Sequence, residues 1–499
     1  MRLVDYLDKG ASLGAEAPCL VVGDRVMTYA DVQTFSYVVG RALARAGIAP
    51  GDKVAILSAN DPQAFASVFG IARAGAVWCP INPRNGVDEN RELLAAFDCR
   101  CLIYQQKFAP LVDQIDIEVK VCLETELAAF TADLPASPLV VEPVDDIAMI
   151  VGTGGTTGKP KGVMLTGHNL ETMTALTLMG YPFVHRPVYL ALAPLTHAAG
   201  VLCFPILTRG GQIVIMPAPD LHELLRLIPA HRVTHLFLPP TLIYMLLSDP
   251  ELAQTDLSSL VCFWYGAAPM SVQKLEEALV KIGPVMAQLF GQTEAPMMVT
   301  TLSPAEHFHA DGSIAKERLA SCGRPSPLTT VGIMDEHGAL VPTGQRGEIV
   351  VRGPLVMAGY YKNPEATREA SRFGWHHTGD VGYLDDDGYL FIVDRLKDMI
   401  ISGGFNVYSA EVEQALMQHP AVQDCGVIGL PDEKWGERVV AVVQLRGQAT
   451  SEELVAFVKS KIGSVKAPTQ VEIWDDLPRS KVGKVLKTDI KKRLQGGVV

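Results

Sequence analysis

A chain of 499 residues is too long for a single hydrophobic core, so two or more domains are expected. Hydrophobic residues make up 48% and charged residues 20%, an ordinary globular balance. The net charge of −12, with no basic tail or long basic run, argues against nucleic acid and anionic membrane as partners.

The start, Met1 to Asp8, carries acids where a signal peptide needs an apolar core. The apolar run Ala198–Leu207 is far short of the ~20 residues a spanning helix needs, so no membrane insertion is expected. Nine cysteines, odd in number and scattered, suggest reduced thiols in a cytoplasm rather than a disulfide framework. Cys99 and Cys101 have no C-x-x-C partner, so zinc is not expected. A homodimer is compatible with this composition.

Taken in order, the first ~150 residues alternate strand-like and helix-like runs, as α/β units do. Val54–Leu57 reads as a strand, Asp61 caps a helical pattern through Ala72, and Ala76–Pro80 resumes a strand. Such alternation predicts a largely parallel sheet covered by helices. Gly10-Ala11-Ser12-Leu13-Gly14 matches the G-x-S-x-G nucleophile elbow, but no strand precedes it, and Ser12 reads as loop.

The apolar run Ile147–Val151 predicts a buried strand, followed at once by Thr153-Gly154-Gly155-Thr156-Thr157-Gly158-Lys159-Pro160-Lys161-Gly162. Glycines expose backbone N–H groups, threonines add hydroxyl donors and lysines add charge, so such a loop can wrap a polyphosphate. The G-x-x-x-x-G-K-[ST] pattern is missed twice: Thr153 takes the leading position and Pro160 follows Lys159.

The order T-[SG]-G-T-T-G-x-P-K-G instead resembles the phosphate loop of the adenylate-forming superfamily, which includes acyl-CoA synthetases, luciferases and peptide-synthetase adenylation domains. Gly154 stands where that family most often has serine. Further segments are similar in order and spacing over residues ~1–495. The strand-like Tyr189–Leu192 leads into Ala193-Pro194-Leu195-Thr196-His197-Ala198-Ala199-Gly200. Standing alone, His197 reads as a loop or core histidine; the resemblance places it at the carboxylate site. Val233–Leu238 reads as a strand. Gly266-Ala267-Ala268-Pro269 resembles the turn that lies against adenine and substrate. Leu289-Phe290-Gly291-Gln292-Thr293-Glu294 resembles Y-G-x-T-E with Phe290 in place of tyrosine, which keeps stacking and loses a hydroxyl. Gly374-Trp375-His376-His377-Thr378-Gly379-Asp380 resembles W-x-x-T-G-D, in which the aspartate accepts the ribose hydroxyls.

Asp394-Arg395-Leu396-Lys397-Asp398 resembles the hinge, with Arg395 reaching ribose or phosphate and Lys397 as pivot. Asp385-Asp386-Asp387-Gly388 reads as a hairpin turn with no ligand role. Gly403, Gly404 and Trp435 resemble the segments that meet CoA, although Ser409 stands where proline is usual. Leu477-Pro478-Arg479-Ser480-Lys481-Val482-Gly483-Lys484 resembles the segment whose final lysine is catalytic. By spacing alone Lys481, Lys484 and Lys487 are alternatives; the resemblance selects Lys484.

The resemblance implies an α/β fold: a large N-terminal adenylation domain of several subdomains with parallel-rich sheets over residues 1–394, and a small mobile α/β lid over 395–499. It implies an ATP-dependent carboxylic acid:CoA ligase that forms acyl-AMP, with ATP, Mg²⁺ and coenzyme A required. Lys484, Thr293, Glu294 and His197 are the implied catalytic residues, Glu294 holding the metal. The nucleotide would be held by Thr153, Gly154, Gly155, Thr156, Thr157, Gly158, Lys161, Gly266, Ala267, Ala268, Phe290, Gly291, Gln292, Asp380 and Arg395. Phe237, Ala198, Ala199, Cys203, Trp264, Tyr265, Met297 and Met298 are the expected acyl pocket, sized for a medium alkyl, alicyclic or aryl acid. Two competing readings are an acyl-AMP-forming enzyme with a carrier-protein acceptor and a catalytically silent nucleotide sensor. An amino-acid-activating domain would favour an aspartate near His197, and Asp220 lies too far along.

Overall fold

The computed structural model describes residues 1–139, 141–153, 161–195, 198–403, 405–480 and 485–496. The expectations for Gly154, Gly155, Thr156, Thr157, Gly158, His197, Gly404, Lys484 and the side chains of Ala198 and Ala199 lie outside the described residues.

The predicted parallel units form as read. Lys53–Leu57, Val77–Ile81, Cys99–Tyr104 and Val119–Cys122 pair in parallel within a seven-stranded sheet. Helix Pro62–Arg73 starts where Asp61 accepts the N–H groups of Gln63 and Ala64, with proline at the first turn. Ile147–Thr153 joins this sheet and pairs antiparallel with Lys161–Thr166, Thr153 opposite Lys161. The described residues on either side of the glycine-rich segment, Thr153 and Lys161, are thus paired strand ends. Ser12 departs from the loop reading: it lies in helix Leu3–Leu13, its hydroxyl donating to the Lys9 carbonyl at 2.7 Å. A helical serine is no better placed as an elbow nucleophile.

A nine-stranded sheet contains the parallel run Gln212–Ile215, Val188–Ala191, His235–Leu238, Cys262–Gly266 and Met286–Phe290. His235–Leu238 and Cys262–Gly266 are buried at every position, as expected of strands covered on both faces. Alternate residues feed two cores. Phe237, Trp264 and Leu289 enter one, with Cys203, Met297 and Met298; Leu236, Leu238, Phe263 and Tyr265 enter the other.

Two histidines are sealed in this region. His235 lies between the Thr234 hydroxyl and the Pro182 carbonyl, and His307 between Tyr265 and the Ser303 carbonyl. Burial pushes both imidazoles down to a pKa of about 4. Below pH ~6.5 the unfolded chain takes up protons that the fold refuses, so stability falls as pH drops toward 4. Each ring contributes about 3 kcal/mol to that loss. Denaturant midpoints measured from pH 7.5 to 4.5 should fall steeply; a double His235→Gln, His307→Gln variant should show a flatter profile.

A four-stranded antiparallel sheet (Thr330–Met334, Gly347–Arg352, His376–Leu384, Leu390–Arg395) follows, its last hairpin closing at Asp385–Gly388 as predicted. The next sheet, of five strands, begins at Ile400–Ser402 and continues to Gln470–Ile473. A short 3₁₀ turn, Leu396–Asp398, joins the two sheets and contains Lys397.

Candidate active site

Two neighbouring parallel strands end at residues expected to meet the nucleotide, Cys262–Gly266 at Gly266 and Met286–Phe290 at Phe290. Strand Cys262–Gly266 ends at Gly266, where a Cβ would approach the Leu289 carbonyl to 2.5 Å, so only glycine fits. Ala267 follows in the left-handed region at φ +66°, a conformation that costs a non-glycine residue energy and concentrates at functional turns. Met297 shares that conformation at φ +62°, and a Cβ on Gly291 would meet its backbone N at 2.4 Å. The Gln292 N–H donates to the Ala295 carbonyl, closing the tight turn that presents Thr293 and Glu294. Both side chains are half-buried.

Gln292 connects motifs far apart in sequence. Its amide donates to the Thr378 carbonyl at 2.7 Å and to Asp380 Oδ2 at 2.9 Å, while its oxygen faces His376 Nε2 at 3.3 Å. Burial pushes the His376 pKa below the usual value, which favours the neutral ring. Arg395 Nε reaches Asp380 Oδ1 at 2.7 Å, with Asp380 4% exposed and Arg395 48%. Gln292, Asp380 and Arg395 are therefore joined by direct contacts, with Phe290 and Gly291 next to Gln292 in the chain.

Glu294 accepts a hydrogen bond from the Tyr360 hydroxyl at 2.8 Å, and the Lys161 ammonium lies 5.1 Å from the centre of the Tyr360 ring. No ion pair of Glu294 occurs among the described residues. A half-buried carboxylate with one neutral donor and no cation suits a hard divalent metal such as magnesium. Motif reading quoted His376 without a role and missed Tyr360 entirely. It also missed Asn60, buried beside the strand end that leads toward His197. The Leu195 N–H donates to Asn60 Oδ1 at 2.8 Å, and Asn60 Nδ2 donates to the Ala193 and Met216 carbonyls.

Trp264 pairs with Phe237 and Ala287 in register, two residues below Gly266 and Leu289 on the same face. It is fully buried against Tyr181, Phe183, Tyr189 and His235. Tyr265 corrects the sequence expectation. Side chains alternate along a strand, so it points to the opposite face, where its hydroxyl meets His307 Nε2 at 2.9 Å. It shares no wall with Phe237, Cys203 or Met298.

In the small domain Gly403 takes φ +58°, its N–H donates to the Trp435 carbonyl at 2.7 Å, and a Cβ there would meet the indole at 2.8 Å. Trp435 is 45% exposed. Two of the three residues expected near CoA, Gly403 and Trp435, are thus adjacent and open to solvent.

The fold, a large domain of mixed sheets and helices followed by a small C-terminal domain, is that of an adenylate-forming enzyme. Residues 7–361 match the model of the AMP-binding enzyme family, and 411–484 that of the AMP-binding enzyme C-terminal domain. The chain belongs to the AMP-binding enzyme family. It is 37% identical to a feruloyl-CoA synthase of Amycolatopsis, covering 97% of each protein. It is 35% identical to a medium/long-chain-fatty-acid–CoA ligase of Mycobacterium tuberculosis, over 96% of this chain and 88% of the relative. The solved amide bond synthetase McbA of Marinactinospora thermotolerans superposes with a TM-score of 0.91 at 31% identity, over 98% and 99% of the chains. Among the described residues no helix is long and apolar enough to cross a membrane, and all nine cysteines are free thiols.

Proposed function

We propose that the protein is an ATP-dependent carboxylic acid:CoA ligase that makes an acyl-AMP, releases pyrophosphate and passes the acyl group to the CoA thiol. The observation that carries this reading is the Gln292–Asp380–Arg395 constellation, which joins three motifs of the nucleotide site through direct hydrogen bonds. A carboxylate is a poor electrophile with a poor leaving group; adenylation remedies both. The difficulty is electrostatic, because an anion must approach the α-phosphate of a polyanion, so fixed donors and cations aimed at the reacting phosphorus supply most of the catalysis.

In this reading Asp380 accepts the ribose hydroxyls, Phe290 and the 266–268 turn flank adenine, and the 153–161 loop holds the outer phosphates. Thr293 donates to the α-phosphate, and Lys484 bridges it to the incoming carboxylate. Glu294 would hold Mg²⁺, which when bound would supply charge neutralisation on the phosphates. After adenylation the 395–499 domain turns about Lys397 and presents Gly403 and Trp435 to CoA; no acyl-enzyme is required. The acyl group lies over the face bearing Phe237, Cys203, Trp264, Met297 and Met298. Two residues along a strand span about 7 Å, so Trp264 stops that face one step below Gly266. A medium alkyl, alicyclic or aryl acid fits that depth better than a very long chain. With free thiols and no spanning helix among the described residues, we place the enzyme in the cytoplasm.

The test is pyrophosphate release with ATP and Mg²⁺ across a panel of carboxylic acids, with and without CoA. Acid-dependent release that reaches full turnover only with CoA supports the ligase and ranks its substrates. Release indifferent to CoA moves the reading to another acceptor, such as a carrier-protein thiol or an amine. Failure with every acid removes it.

A further inference from the structure

The contact between Tyr360 and Glu294 ties two distant segments of the nucleotide site together. Strand Gly359–Tyr360 pairs antiparallel with Lys161–Thr166, Tyr360 opposite Val163, which sets its ring beside Lys161. The backbone there is fixed at several points. The Tyr360 N–H donates to Thr367 Oγ1 at 2.9 Å, and the Met357 N–H donates to the Glu294 carbonyl at 2.8 Å. Gly359 takes φ +143°, and a Cβ there would crowd Thr367 at 2.9 Å. The hydroxyl then donates to Glu294 Oε1 at 2.8 Å. Among the described residues the second carboxylate oxygen has no hydrogen-bond or ion-pair partner. One face of a single ring thus carries the Lys161 ammonium while its hydroxyl grips the carboxylate.

We propose that Tyr360 is a positioning residue of the adenylation site: its hydroxyl fixes the Glu294 carboxylate, leaving the second oxygen for a divalent cation, and its ring seats Lys161. The inference rests on Glu294 being the metal ligand. A residue that orients a ligating carboxylate typically governs metal affinity by 10- to 100-fold.

The experiment titrates Mn²⁺ into the full-length protein with a non-hydrolysable ATP analogue, reading free Mn²⁺ by electron paramagnetic resonance. Tyr360→Phe keeps the ring and removes the hydroxyl; it should weaken Mn²⁺ binding about 10-fold while the thermal midpoint and the analogue affinity at saturating Mn²⁺ stay near wild type. Tyr360→Leu also removes the seat of Lys161 and should lower analogue affinity by a further factor of about 2 to 5. Glu294→Gln is the reference variant. Wild-type Mn²⁺ affinity in Tyr360→Phe, with weak binding in Glu294→Gln, overturns the role of Tyr360 alone. Wild-type affinity in both variants overturns the metal reading of Glu294, and the proposal with it.

Discussion

Replacing Lys484 by alanine is expected to abolish acyl-AMP formation and to leave thioester formation from supplied acyl-AMP largely intact. The segment around it is anchored on both sides. Arg479 pairs with Asp424 at 2.7 Å, Leu477 is buried, and the Leu486 N–H donates to the Pro478 carbonyl at 2.8 Å. Only the first half-reaction brings two anions together, so only that step needs the amine. Removing a donor aimed at developing charge typically costs a factor of 10² to 10³ in kcat. Single-turnover assays of each half-reaction measure the two steps separately. Equal loss in both would take Lys484 out of the adenylation chemistry and make it a residue of the small domain's stability.

A second substitution, Lys487→Met, should act on folding instead. Lys487 Nζ donates to Ser409 Oγ at 2.6 Å and to Glu413 Oε1 at 2.8 Å, in a largely buried pocket that also contains Asp394. Desolvation, the largest effect, pushes the Glu413 carboxyl pKa up, partly offset by Lys487; on Lys487 the surrounding acids outweigh burial and raise its pKa. Removing the ammonium leaves the Glu413 carboxylate, 21% exposed, with the Val427 N–H as its remaining donor among the described residues, a change that costs about 3 kcal/mol, the low end for a broken buried pair. The small domain's unfolding transition should shift accordingly, followed by the fluorescence of Trp435 and Trp474. Adding Glu413→Leu should recover much of the loss, because an apolar pair of similar volume avoids the desolvation penalty. If the single variant melts like wild type, the network is not a stabilising element.

These two lysines show what the sequence made legible. Spacing alone left Lys481, Lys484 and Lys487 as alternatives, because which ammonium enters a buried network depends on Ser409 and Glu413, dozens of residues away. Local turns read well. Gly266, Gly291 and the Asp385–Gly388 hairpin carry their geometry in their own residues, so their motifs predicted where strands end. Partners across long loops did not read. Tyr360 meets Glu294 across 66 residues, and Gln292 meets Asp380 across 88. Tyr265 misled because bulk was visible in the sequence while the face of the strand was not. Ser409 stood out only as a departure from proline. Its N–H and hydroxyl both bond the Asp394 carboxylate, and a proline would supply neither donor.

Asp380 carries the Arg395 guanidinium on one of its carboxylate oxygens. A ribose that takes the same carboxylate enters by exchange rather than by filling an empty slot. The displaced arginine lies two residues before Lys397, so in the hinge reading proposed above nucleotide arrival would loosen a contact beside the pivot. Loading the first substrate and releasing the brake on the second half-reaction would then be the same molecular event.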